Sequence, residues 1–202
     1  MNVMEIIRDI PEFWKDFLRG PTRALEKRSG KGGLEDALIL LLLIAAINLA
    51  VYFLRSLPFF QLGTTFALVD IFSDMGRQGF QMLMLVVSFF LFVTLVYAVS
   101  KFVGSKSSFG NHAHLMALTY TVSLIAIALQ LILGVFLSGF PYTAIVAMIE
   151  LLLLCAFIFP LKVAHKFSWS TTLSVVVVSF FVLFILFYAL MLITNNPISL
   201  QN

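Results

Sequence analysis

The chain has 202 residues, 61% of them hydrophobic and 11% charged, with a mean hydropathy of +1.04 and a formal net charge of +3. A water-soluble domain of this size cannot hide so much apolar side chain, so a soluble globular protein is excluded and lipid must cover part of the surface. The small basic excess lies at the ends of apolar runs, so it does not argue for nucleic acid, and one cysteine, Cys155, excludes an internal disulfide.

Residues 1–33 are rich in charge, with Arg8, Lys15, Arg19, Arg23, Lys27, Arg28 and Lys31 set among Glu5, Asp9, Glu12, Asp16 and Glu26. They lack the continuous apolar core of a cleavable signal and are not expected to be one. Within them Val3, Ile6, Ile7, Ile10, Phe13, Trp14, Phe17 and Leu18 recur at three- and four-residue spacing, the stripe of an amphipathic helix. Pro11 interrupts the stripe. Asp9 with Glu12 three residues later predicts a fresh helix start there, and Gly20-Pro21 an end. Two placements fit this helix. It can lie on the inner leaflet, with Trp14, Phe13 and Phe17 as interfacial anchors, or it can pack on the ends of the spans. Lys31-Gly32-Gly33 reads as a flexible joint.

Residues 34–194 hold five apolar stretches, at about 34–54, 80–102, 115–137, 142–161 and 173–193. Each is long enough to cross about 30 Å of hydrocarbon as a helix. Strands would need shorter segments of alternating polarity. The expected fold is therefore all-α: a polytopic bundle of five transmembrane helices preceded by the interfacial helix, with 195–202 as a short outward tail. Between spans, Arg55–Gly79 is too long and apolar for a simple turn, and Phe66, Val69, Ile71, Phe72 and Met75 with Asp70 and Asp74 predict a short interfacial helix. Val103–His114 predicts a Gly/Ser-rich turn with a helix start near Ser108 or Asn111, and Ser138–Pro141 a tight hairpin between the third and fourth spans.

Lys and Arg set the orientation. Of 13 such residues, only Arg55 and Arg77 fall on the outer side if the N-terminus lies inside; Lys101, Lys106, Lys162 and Lys166 join the N-terminal group on the inner side. The prediction is a protein of the cell membrane, N-terminus inside and C-terminus outside.

Three features resemble the Yip domain family of Ypt-interacting membrane proteins. The first is Pro11-Glu12-Phe13-Trp14 followed by Gly20-Pro21-Thr22-Arg23-Ala24-Leu25, similar to the family's lead-in to its first span. The second is residues 98–109, Ala98 to Phe109, similar to its Gly-Gly-Lys-Gly-Ser-Phe type loop. The third is the five-span pattern itself. Where the family often has G-Y-x-x-x-P early in the third span, this chain keeps only Tyr120. It also lacks the polar N-terminal region with an Asp-Leu-Tyr-Gly-Pro motif seen in eukaryotic members, which are associated with Rab-type GTPases and vesicle traffic. The trafficking role of those members does not carry over, and the resemblance implies the prokaryotic-type branch, whose function is poorly defined.

Glu150, near the middle of the fourth span, is the ionisable residue that most demands a reason. A charge at that depth costs about 2.5–3.5 kcal/mol on insertion scales. Counting from the hairpin puts Gln130 at a similar depth, with Asn48, Ser88 and Tyr188 near the same level, so one polar layer is expected to cross the bundle. Thr119, Ser123, Ala126, Gln130, Gly134 and Ser138 form a small or polar stripe on the third span, suited to close helix contact. A protonated Glu150 bonded to Gln130 would be a structural lock; a proton- or cation-handling role and an incidental lipid-facing position are the alternatives.

His112, His114 and His165 are weak candidates for a metal. Two-residue spacing turns His112 and His114 to different faces, and no Cys or carboxylate accompanies them, so no metal or other cofactor is expected. Gly104-Ser105-Lys106-Ser107 lacks the glycine and strand context of a phosphate loop. No catalytic constellation is present. The sequence favours a non-enzymatic membrane scaffold or adaptor, with the bilayer and a membrane or cytoplasmic protein as partners and no nucleic acid. The alternative is a small transporter or channel subunit working through the layer around Glu150.

Overall fold

The computed structural model describes residues 3–56, 68–136 and 139–195, which are helical with short connections and no strand. The elements are α1 (Val3–Arg19), α2 (Pro21–Glu26), α3 (Leu34–Ser56), α4 (Leu68–Phe102), α5 (Phe109–Tyr120), α6 (Ser123–Phe136), α7 (Gly139–Ala156), α8 (Ile158–His165) and α9 (Trp169–Asn195). Among the described residues, five segments are long and apolar enough to cross a membrane: Leu34–Val51, Leu83–Phe102, Phe109–Leu133, Phe140–His165 and Trp169–Leu186. The chain is a multi-pass helical protein of the kind the sequence predicts.

Helix α1 runs unbroken through Pro11, contrary to the expected fresh start. Pro11 is exposed, so the carbonyl it cannot bond, one turn back, faces away from the core. The opposite face carries Ile6, Ile10, Phe13 and Phe17, all buried against the spans. Burying side chains of this size stabilises by about 1.5–3 kcal/mol each relative to leaving them in water. Phe17 meets Phe159 of α8 edge-on at 6.2 Å. Gly20 ends α1, and Pro21 opens α2, where a missing N–H is harmless.

Helix α5 is the centre of the molecule. His112 through Thr119 are all buried, as in a helix enclosed on every side. The third and fourth spans are interrupted. Between α5 and α6 the hydroxyls of Thr119, Thr121 and Ser123 turn back onto the carbonyls of Leu115, Leu118 and Tyr120, competing with the helical ladder. Between α7 and α8, Pro160 removes the N–H that Ala156 would have received.

Helix α4 is one 35-residue element. The separate interfacial helix expected within Arg55–Gly79 is therefore absent from 68 onward, where the chain already belongs to α4; Phe66 lies outside the described residues. At its other end the turn closes on Gly104, whose φ of 95° suits glycine, with Ser105 N–H donating to Ser100 O at 3.1 Å. Ser108 then caps α5, accepting from Asn111 N–H at 3.3 Å.

The buried core gathers at one end of the bundle, where α1, α2, α8 and the 103–108 turn surround the starts of α3 and α5. This is the end that carries Lys101, Lys106, Lys162, Lys166 and the basic N-terminal segment. Elsewhere α7 and α9 present Leu151, Leu152, Phe181 and Phe184 outward, the surface that lipid would cover.

Candidate functional site

A hydrogen-bonded chain crosses the basic end. Ser105 Oγ, in the turn after α4, is bonded to His165 Nδ1 at the end of α8. His165 Nε2 is bonded in turn to His112 Nδ1 in α5, at 2.9 Å. His112 is wholly buried and His165 nearly so. Around them Phe167 stacks on His165 with ring centres 5.3 Å apart. Tyr97 OH donates to Ser107 O at 3.2 Å. Lys101 Nζ donates to Ser105 O at 3.2 Å and lies 5.3 Å from the Tyr97 ring centre.

The chemistry of this chain follows from donor counting. A neutral imidazole has one N–H and one bare nitrogen, so one histidine of the pair donates and the other accepts. Either Ser105 donates and the N–H groups all point toward His112, or the order reverses. His112 Nε2, the inner end of the chain, makes no hydrogen bond of good geometry among the described residues, with the backbone of Val93 the neighbouring acceptor. Two protonated imidazoles could not share this bond. The arrangement therefore fixes α5, α8 and the turn to one another only while at least one ring is neutral.

His114 is not part of it. Its ring lies beside Gly32, so closely that a β-carbon there would fall on the imidazole. The Lys31-Gly32-Gly33 joint is thus a packing contact as well as a turn. Among the described residues no group of three His, Cys, Asp or Glu could hold a metal.

A second cluster holds α1 to the turn after α2. Arg28 is buried and pairs with Asp9 through two bonds, Nε to Oδ2 at 2.8 Å and Nη2 to Oδ1 at 3.0 Å. Its Nη1 reaches Asp16 at 3.3 Å. The guanidinium also sits 5.1 Å from the Phe13 ring centre. Burial works against its charge, but the bonds to Asp9 and then Asp16 outweigh burial and raise its pKa. Lys27 bonds Glu12 at 2.7 Å and Asp16 at 3.3 Å. The hydrogen bonds from Lys27 and then Arg28 hold the Asp16 carboxyl below its ordinary range.

The anchors expected in the interface are placed differently. Phe13 and Phe17 are buried in the protein and do not reach lipid. Trp14 is half-buried and donates from Nε1 to Thr121 Oγ1 at 3.0 Å.

The polar layer around Glu150 is not assembled by hydrogen bonds among the described residues. Glu150 is exposed on α7, Gln130 is half-buried on α6, and no bond joins them. Asn48 donates to Ile44 O and Ser88 to Leu85 O, each within its own helix. Tyr188 is exposed. Depth counting ranks residues along the membrane normal but is silent on which way each faces, and here the faces diverge. The serine–histidine chain and the Arg28 cluster were not foreseen, because their partners lie far apart in sequence. The one available signal was Asp9 and Asp16, seven residues apart and so on one face of α1. No family model, curated protein or solved structure matches the chain.

Proposed function

We propose that this protein is a non-enzymatic membrane scaffold or adaptor of the cell membrane that works through its basic end, with that end facing the cytoplasm and the C-terminus outside. The observation that carries this reading is where the specific construction lies. Among the described residues, long-range polar contacts concentrate at the basic end, in Arg28 with Asp9 and Asp16 and in Ser105 with His165 and His112, while Trp14 with Thr121 lies deeper, where the third span is interrupted. Among the described residues the spans show no connected polar path. A void among Phe92, Val96, Phe157, Val176 and Phe180 has about 10 Å³, space for about one water, and a larger groove of about 420 Å³ between α4 and α9 is walled almost wholly by apolar side chains. The resemblance of the lead-in, the 98–109 loop and the span pattern to the prokaryotic-type Yip branch supports the orientation, with a cytoplasmic N-terminus and an outward C-terminus.

Two measurements test it. In a Cys155→Ser background, single cysteines at 107, 138 and 202 report the orientation: an impermeant thiol reagent applied outside should label 138 and 202 and spare 107. A photo-crosslinking residue at exposed Leu18, compared with one at exposed Leu152, should give a discrete protein adduct from Leu18 alone. Glu150-dependent proton or cation flux in liposomes, without such an adduct, would replace the scaffold by a transporter.

A further inference from the structure

A cavity of about 540 Å³ opens at the basic end between α2 and α8, with Thr22, Glu26, Ser29, Lys162 and Lys166 on its wall. That size is ordinary for a small polar ligand. Neither lysine is in a salt bridge among the described residues, although Glu26 lines the same cavity. The cavity therefore keeps a net positive wall with two hydroxyls beside it. Lys162 is not loose: its ammonium sits 4.0 Å from the ring centre of Trp169, the first residue of the fifth span. That contact holds the charge at the edge of the apolar surface.

Lys166 adds an independent observation. It ends α8 in the left-handed conformation, φ 54° and ψ 35°, and no other described non-glycine residue has positive φ. Glycine is the residue that takes this position without strain. A lysine stands there instead, on the wall of the cavity, at the C-terminal end of α8 where its charge also suits the helix dipole. The neighbouring basic cavity differs. It is lined by residues 16–27 alone, with Asp16 on its wall beside Arg19 and Arg23, its Lys27 is committed to Glu12 and Asp16, and it includes no residue of a span.

We infer that Lys162 and Lys166, with the hydroxyls of Thr22 and Ser29, form a binding site for a phosphate group at the membrane edge. Two ammonium groups and two hydroxyls supply the charge-assisted donors that phosphate oxygens need. The Trp169 contact puts the site level with lipid headgroups, where a phospholipid can leave its chains on the bundle. A free phosphate offers the same oxygens without that tether.

The experiment uses the full chain in mild detergent, titrated with dioctanoyl phosphatidylglycerol and, separately, with inorganic phosphate, following heat or intrinsic fluorescence. Lys162→Gln and Lys166→Gly should each weaken binding about tenfold, the effect of one charge-assisted hydrogen bond. Lys166→Gly should meanwhile keep or raise the melting temperature, which separates loss of binding from loss of fold. Glu26→Gln should tighten binding, and Lys106→Gln, in the turn after α4, should leave it unchanged. Lysine-dependent binding of the lipid identifies a headgroup site, and lysine-dependent binding of inorganic phosphate alone identifies a free anion. Binding that falls equally with Lys106→Gln, or that survives loss of both cavity lysines in a folded protein, overturns the site.

Discussion

Trp14 Nε1 donates to Thr121 Oγ1 over 3.0 Å, which fastens the N-terminal helix to the point where the third span is interrupted. The same hydroxyl donates to Leu118 O at 2.6 Å, so its oxygen is free to accept from the indole. Trp14→Phe keeps a ring and loses the N–H; Thr121→Val keeps the shape and loses the hydroxyl. Each should destabilise by about 0.5–1.5 kcal/mol, and the double variant should cost less than the two together. Unfolding in detergent for the four proteins of that cycle measures the coupling, and strictly additive losses would show that the bond contributes nothing.

The spans and the α1 stripe were legible because both rest on period and composition. Ile6, Ile10, Phe13 and Phe17 had to share a face whatever they met. The two placements can coexist: Phe13 and Phe17 are buried against protein, while Met4, Ile7 and Leu18 on the same helix stay exposed. Less legible were features set by distant partners. Arg28 lies 19 residues from Asp9, and His165 lies 53 from His112. The interruption at Phe157 did leave a trace, since Pro160 stood inside a stretch that looked like one span. Glu150 misled for the opposite reason: its depth could be counted, but its direction depended on how α7 is rotated.

The α1–α2 pairing carries a pH signature. Asp16 is held below its ordinary value of 3.8 by Lys27 first and Arg28 second. A carboxyl shifted down favours the folded state fully above that ordinary value, and the contribution is lost as pH falls through the lower folded value. Lys27, raised above 10.5 by Glu12 and Asp16, behaves conversely: its contribution is present below 10.5 and lost as pH rises through the folded value. Asp16→Asn should therefore lower stability at neutral pH and flatten the pH dependence below about pH 4. In a Trp169→Phe background, Trp14 fluorescence followed through an acid titration should show it; identical curves for wild type and variant would contradict the assignment.

The His112–His165 bond makes a prediction about order of removal. His112→Leu leaves His165 Nε2 buried without its partner, and His165→Leu does the same to His112 and also strips Ser105 of its imidazole. Each single change should cost about 1–3 kcal/mol, whereas replacing both with Leu should cost less than the two singles combined. Thermal melts of the three variants check this. Singles that are as stable as wild type would mean the buried pair is not formed.

Glu150 is exposed on α7, with Met148, Leu151 and Leu152 also exposed around it, and it makes no bond to Gln130 among the described residues. A residue so placed has no protein partner among the described residues. Glu150→Gln and Glu150→Leu should then leave stability in detergent within about 0.5 kcal/mol of wild type, as for surface changes away from any partner. Insertion should respond differently, because the carboxyl near mid-membrane costs about 2.5–3.5 kcal/mol there. Glu150→Leu should raise the yield of inserted protein, and Glu150→Gln should do so less. If the residue instead locked the hairpin, leucine would destabilise while glutamine, still able to pair with Gln130, would not. Melting temperatures and membrane-fraction yields of the two variants separate these outcomes, and a selective loss of stability with leucine would restore the interhelical bond.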